Sequence, residues 1–167
     1  ECCRRLRRRG LGVLVLAFAE PTIWRSPQAG GDGEGARLHL IVLDGSASMT
    51  HGSRWERAQD AAEEVLDSLG ADDRAQIVLA GRVFEVLGPA SGDVPALRQA
   101  LNTARPGVFR LEYGQLMRSV DGLLRSAELP VVIDIVTDAQ ASGLPTRFGE
   151  LAPRRPAEIV IHDVGQG

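Results

Sequence analysis

Three closely spaced residues, Asp44, Ser46 and Ser48, form the pattern D-x-S-x-S, and a fourth, Asp138, follows much later in the chain. A carboxylate and two hydroxyls alternating along a turning loop make a hard donor set. A second carboxylate from another loop turns it into an all-oxygen cup. Such donors suit Mg2+ or Mn2+; Mg2+ takes six oxygens at about 2.1 Å and commonly keeps waters in its shell. A protein shell that stops short of six leaves room for an acidic group from a partner. The competing reading is a strand-end turn whose serines cap the following chain while both carboxylates are solvated.

Nucleophilic and acid-base chemistry fit less well. Ser46 follows Gly45, but D-G-S-A-S lacks both glycine positions of a G-x-S-x-G nucleophile elbow. A serine hydrolase, the lesser alternative, needs a histidine. His39 lies in a strand, His162 in another, and His51 has to fold back onto Ser46. Asp44 and Asp138 as a glycosidase pair lack an aromatic sugar platform, since Trp24 and Trp55 are the only tryptophans. All 19 basic residues are arginine, which excludes Schiff-base lysines, Ser-Lys dyads and the lysine of a phosphate-binding loop. The sequence is therefore read as a non-enzyme.

The elements that must position these residues alternate between strand and helix. Leu38–Leu43 is almost continuously apolar, as a strand covered on both faces should be. Ser53 to Glu56 has the spacing of a capping box opening a helix, with Ala58, Ala61, Ala62, Val65, Leu66 and Leu69 on one face and Gly70 ending it. Ala75–Ala80 and Val83–Leu87 flank Gly81-Arg82, a two-residue hairpin signal. Helices are predicted at Val94–Asn102 and at Tyr113–Ser126, the latter with an apolar stripe from Tyr113 through Leu124. Val131–Thr137 and Glu158–His162 read as strands, and one helical turn or two is expected near Phe148–Leu151. The order predicts an α/β fold, a doubly wound, mostly parallel sheet with one antiparallel edge strand. In such sheets ligands sit at the carboxyl ends of strands, where Asp44 and Asp138 fall.

From Arg37 to Gly167 the chain resembles the von Willebrand factor A family. The likeness rests on "HLIVLDGSASM", the "ADDRAQIVLAGRVFEVL" hairpin and "VVIDIVTDAQAS". The family's metal-ion-dependent adhesion site uses D-x-S-x-S, a threonine from a later loop and an aspartate ending the fourth strand. The resemblance implies a Rossmann-like domain here lacking its last helix and strand, with Asp44, Ser46, Ser48 and Asp138 as metal ligands. It also implies a protein ligand offering an acidic residue. Leu111 falls where the threonine is expected, which makes the site partly degenerate. Glu112 is a candidate substitute ligand, and Arg110 a candidate replacement for the cation's charge. A metal-independent scaffold is the alternative.

The first 24 residues read differently. Arg4 to Arg9 precede the apolar run 10–19, then Glu20-Pro21. The end of a membrane helix is favoured over a signal peptide with an A-x-A site, and both over a buried helix. Either of the first two leaves the arginines cytoplasmic and the rest outside. This lead-in resembles the membrane segment of bacterial aerotolerance-type (Bat-like) proteins, which implies envelope complex subunits as partners and a link to a MoxR-type ATPase. The expected layout is a membrane-proximal segment 1–24, a glycine-rich linker 25–36 and the domain 37–167, extracytoplasmic at a bacterial membrane. The net charge is −3, yet residues 1–25 carry +4, leaving −7 for the remainder. A negative domain argues against nucleic acid as a partner. Cys2 and Cys3 lack metal-binding spacing.

Overall fold

A computed structural model describes residues 35–139 and 153–165. Five strands, β1 (Leu38–Asp44), β2 (Arg74–Ala80), β3 (Phe84–Val86), β4 (Val131–Thr137) and β5 (Glu158–Asp163), form one sheet in the order β3-β2-β1-β4-β5. All neighbours pair in parallel except β2 with β3. The expected doubly wound sheet with one antiparallel edge strand is what the chain forms.

Helices α1 (Arg54–Asp67) and α2 (Val94–Thr103) supply Ala58, Ala62, Val65, Leu66, Leu97 and Leu101 to a core with Ile41, Leu43 and Ile77. Helix α3 (Tyr113–Leu124) supplies Leu116, Met117, Val120 and Leu124 to a second core with Leu40, Val42, Ile133 and Ile135. Successive strand residues point to opposite faces. This is why Ile41 and Leu43 join one core and Leu40 and Val42 the other, and why both central strands are mostly apolar on both faces. Each fully buried Leu or Ile contributes roughly 1.5–3 kcal/mol.

Four local expectations need correction. Ser53 stands at the N-cap of α1 without a side-chain cap bond; its hydroxyl accepts from Arg57 Nη1 at 3.3 Å instead. The capping box therefore does not close. Helix α1 gives way at Ser68, whose N–H bonds to Glu64 and Val65 carbonyls, two residues before Gly70. Ala80 pairs with Phe84, so the hairpin loop holds Gly81, Arg82 and Val83 rather than two residues. Helix α3 closes at Leu124 instead of Ser126, and α2 begins where Asp93 accepts from Ala96 N at 3.1 Å. The helical turn expected at 148–151, the segment 1–24 and most of the linker lie outside the described residues. Among the described residues no helix is long and apolar enough to cross a membrane.

Candidate cation site

After β1 the chain moves to β2 on one side, and later to β4 on the other. The crevice at the carboxyl ends of β1 and β4 is thus the switch point of the sheet, where outgoing loops diverge and leave space. Asp44 closes β1, and Thr137 and Asp138 close β4.

The serine loop is pinned by backbone contacts. Gly45 N donates to Ala80 O at 2.7 Å, Gly107 N to Gly45 O at 2.8 Å, and Ala47 N to Phe109 O at 2.6 Å. A Cβ on Gly45 would meet Leu79 Cδ1 at 3.0 Å and the Ala80 carbonyl oxygen at 3.1 Å, so the close approach to β2 requires glycine. The next residues enter a short 3-10 helix, Ala47–Thr50, with Met49 buried beneath it.

Within this frame Asp44 Oδ1 accepts from Ser46 N at 2.8 Å. The hydroxyls of Ser46 and Ser48 lie 2.9 Å apart. Asp44 Oδ2 accepts from Thr137 Oγ1 at 2.6 Å, and Tyr113 Oη lies 2.9 Å from the same threonine oxygen. Thr137 gives its one hydroxyl proton to Asp44, so Tyr113 is the donor to Thr137. Burial, reinforced by the charges of Asp44, Asp138 and Asp163, pushes the Tyr113 phenol up to about 12, which keeps that proton in place.

Asp138 reaches the same place from the neighbouring strand. Arg54 Nη1, at the start of α1, donates to Asp138 Oδ2 at 3.0 Å and to the Ser48 carbonyl at 3.1 Å. One nitrogen therefore ties the serine loop to the end of β4. The Asp138 side chain is 2% exposed, and its Oδ1 has no hydrogen-bond partner among the described residues. Gly165 packs beneath: a Cβ there would come within 2.8 Å of the Asp138 carbonyl oxygen. Burial pushes the Asp44 carboxyl above its ordinary value, against the Thr137 and Ser46 hydrogen bonds, and the charge of Asp138 adds to the rise. The cup is thus electronegative, with two buried carboxylates and one guanidinium.

The sequence profile of the von Willebrand factor type A domain matches residues 39–140, well over half of the chain. The chain belongs to the von Willebrand factor type A family. Several solved structures share the fold of this A domain. The von Willebrand factor type A protein from Catenulispora acidiphila superposes with a TM-score of 0.58 at 14% identity, over 70% of this chain and 29% of its own. BatB from Bacteroides thetaiotaomicron gives 0.54 at 20%, over 62% and 54%. Proximal thread matrix protein 1 from the mussel byssus, with a zinc-occupied MIDAS motif, gives 0.54 at 16%, over 65% and 30%. The chain thus spans about half or less of the length of these structures. A comparison with proteins of curated function found no match.

In this A domain the four expected ligand residues are gathered at one rim, while the fifth position departs. Leu111 is 7% exposed and belongs to the core beneath α3. Glu112 is exposed at the N-cap of α3. With Arg110, Arg82 and Phe109 it lines a cavity of about 250 Å³ beside the β2–β3 hairpin. The guanidinium on Asp138 belongs to Arg54, not to Arg110. No group of three His, Cys, Asp or Glu side chains suited to a metal occurs among the described residues. A cation in the cup would rest on two carboxylates, serine hydroxyls and water, a donor set proper to a hard ion.

Sequence reasoning missed Thr137, Tyr113 as a hydroxyl donor, and Arg54. Thr137 was legible as the neighbour of Asp138 at a strand end, and Arg54 as a positive charge in a first helical turn, where the dipole favours acids. It missed Asp134 as well. His39 Nδ1 and His162 Nε2 lie 3.0 and 3.1 Å from the two oxygens of this buried carboxylate. Ser46 pairs with Ser48, and His51 is exposed, so the described contacts supply no histidine to a Ser46 nucleophile.

Proposed function

We propose that this chain is a protein-binding module that captures an acidic group of its partner at the rim formed by Asp44, Ser46, Ser48 and Asp138, through Mg2+ or Mn2+. The carrying observation is Asp138 Oδ1, a buried carboxylate oxygen with no described donor, on an aspartate that Arg54 ties to the D-x-S-x-S loop. Buried anionic oxygens left in that state cost several kcal/mol unless something cationic answers them. The fit is chemical: every donor is oxygen, and a divalent ion bound there would supply positive charge facing outward. Membership in a family whose domains are generally interaction modules supports the binding role over an enzymatic one.

Calorimetric titration of the wild-type chain with Mg2+ and with Mn2+ tests the reading, with Asp44→Ala and Ser48→Ala alongside. Heat at millimolar metal or below is expected from the wild type and its loss from both variants. Peptides selected from a display library in Mg2+ should be rich in Asp or Glu and be released by EDTA. Absence of wild-type heat at millimolar metal overturns the cation site.

A second reading, a metal-independent scaffold, draws on the Arg54–Asp138 ion pair, which already supplies part of the missing charge. Peptide capture indifferent to EDTA would favour it. Envelope placement follows from the basic and apolar lead-in, with the domain outside the membrane and envelope subunits, including those linked to a MoxR-type ATPase, as the partner class. Protection of the domain from external protease in intact spheroplasts would refute that orientation.

A further inference from the structure

Arg54 is an unusual residue for its position. It opens α1, where the helix dipole disfavours a cation, yet its side chain is 28% exposed and turned onto a carboxylate that is 2% exposed. Its Nη1 holds two groups at once, Asp138 Oδ2 and the carbonyl of Ser48, which are an end of β4 and a residue of the D-x-S-x-S loop. The contact lies within the cup, on the same aspartate whose other oxygen has no donor among the described residues. Neither oxygen of Asp44 touches it, because Ser46 N and Thr137 Oγ1 are the partners described there.

We infer that Arg54 is a resident counter-cation that competes with a divalent ion for Asp138 and so sets how strongly the cup binds metal. This rests on the proposed cation site and adds the residue that regulates it. Two carboxylates with one guanidinium leave a net charge of −1 before any ion arrives, in place of −2. A divalent ion entering the cup meets half the attractive charge and a like charge on the same aspartate. It must either displace the guanidinium from Oδ2 or share Asp138 with it at close range, and both weaken binding. The same pairing keeps the metal-free cup folded, since the buried carboxylate retains a partner when no metal is present. The two consequences have opposite signs, which separates this role from that of a surface ion pair.

The test is the metal affinity and the metal-free stability of Arg54→Gln and Arg54→Ala beside the wild type and Asp44→Ala. The probes are MnCl2 and MgCl2 alone, in calorimetry and in thermal melts with EDTA or with metal. Both Arg54 variants should bind Mn2+ at least about tenfold more tightly than the wild type, as expected for removing a unit charge a few ångströms from a divalent ion. In EDTA both should melt lower than the wild type, and metal should raise their Tm by more. A purely structural arginine would lower stability and metal affinity together. Wild-type and Arg54-variant affinities that are equal, or weaker in the variants, overturn the inference while leaving the cation site standing. Absence of metal binding from all proteins, Arg54 variants included, overturns the site and the inference with it.

Discussion

Thr137 Oγ1 lies 2.6 Å from Asp44 Oδ2, joining the carboxyl ends of two neighbouring parallel strands through one short, charge-assisted hydrogen bond. The Tyr113 hydroxyl stands behind it at 2.9 Å. A donor chain from α3 through β4 thus fixes the orientation of the first carboxylate of the cup.

Replacing Thr137 with Val strips Asp44 of a buried donor and Tyr113 of its acceptor. A loss of about 1–3 kcal/mol is expected, the cost of a buried polar group left unsatisfied. Tyr113→Phe removes only the outer link and should cost about 0.5–1.5 kcal/mol. The double variant should lose less than the sum, because the tyrosine bond exists only through Thr137. Urea unfolding of the three variants measures all of this, and strict additivity would show that the two bonds are independent.

Gly45→Ala should destabilise by about 1–3 kcal/mol, because its Cβ would lie 3.1 Å from the fixed carbonyl oxygen of Ala80. Leu79 Cδ1, the other close neighbour, can rotate aside; the backbone oxygen of a central strand cannot. The shift would carry the Ser46 N–H away from Asp44. Thermal melting supplies the stability, and amide exchange at Ser46 reports the loop.

Leu111→Thr places the family's expected residue type at its expected position, yet no gain in Mn2+ affinity should follow. The side chain points into the α3 core, so the substitution removes buried methyl groups and introduces a hydroxyl without a partner. A stability loss of about 2–4 kcal/mol is expected. Tighter metal binding by this variant would show that the loop can turn the residue into the cup.

Asp134 predicts an acid-sensitive contribution. Burial alone raises its pKa, but hydrogen bonds from His162 and His39 outweigh it and hold the carboxyl below the ordinary aspartate value of 3.8. The folded state therefore binds this proton more weakly than the unfolded state does. The stabilisation is complete above 3.8 and is lost as pH falls through the folded value. Asp134→Asn should cost about 1–3 kcal/mol near neutrality and flatten the fall in stability below pH 4. Chemical unfolding across pH 2.5–7 compares the slopes; parallel curves for wild type and variant would refute the assignment.

Much of this protein is written in local pattern. The runs 38–43 and 131–137 could only be central strands, because apolar side chains on both sides of the pleat require cover on both faces. Burial of Leu40 to Leu43 at 1% exposure or less bears this out. The D-x-S-x-S spacing at a strand end was equally legible, since a loop's first few residues have little choice of direction. The helix stripes placed Val65, Leu66, Leu97, Leu101 and Val120 in the core for the same reason of period.

What tertiary structure alone decided is which distant groups share a space. Asp44 and Asp138 sit at one rim because β4 pairs with β1 rather than with another strand, a choice made by long-range packing. Arg54, one residue beyond an expected cap, meets an aspartate 84 positions away, and His39 and His162 meet across Asp134 only once three strands are in register. Local sequence specifies the period and direction of each side chain; charge pairing inside the fold depends on strand order and register, which no short window contains.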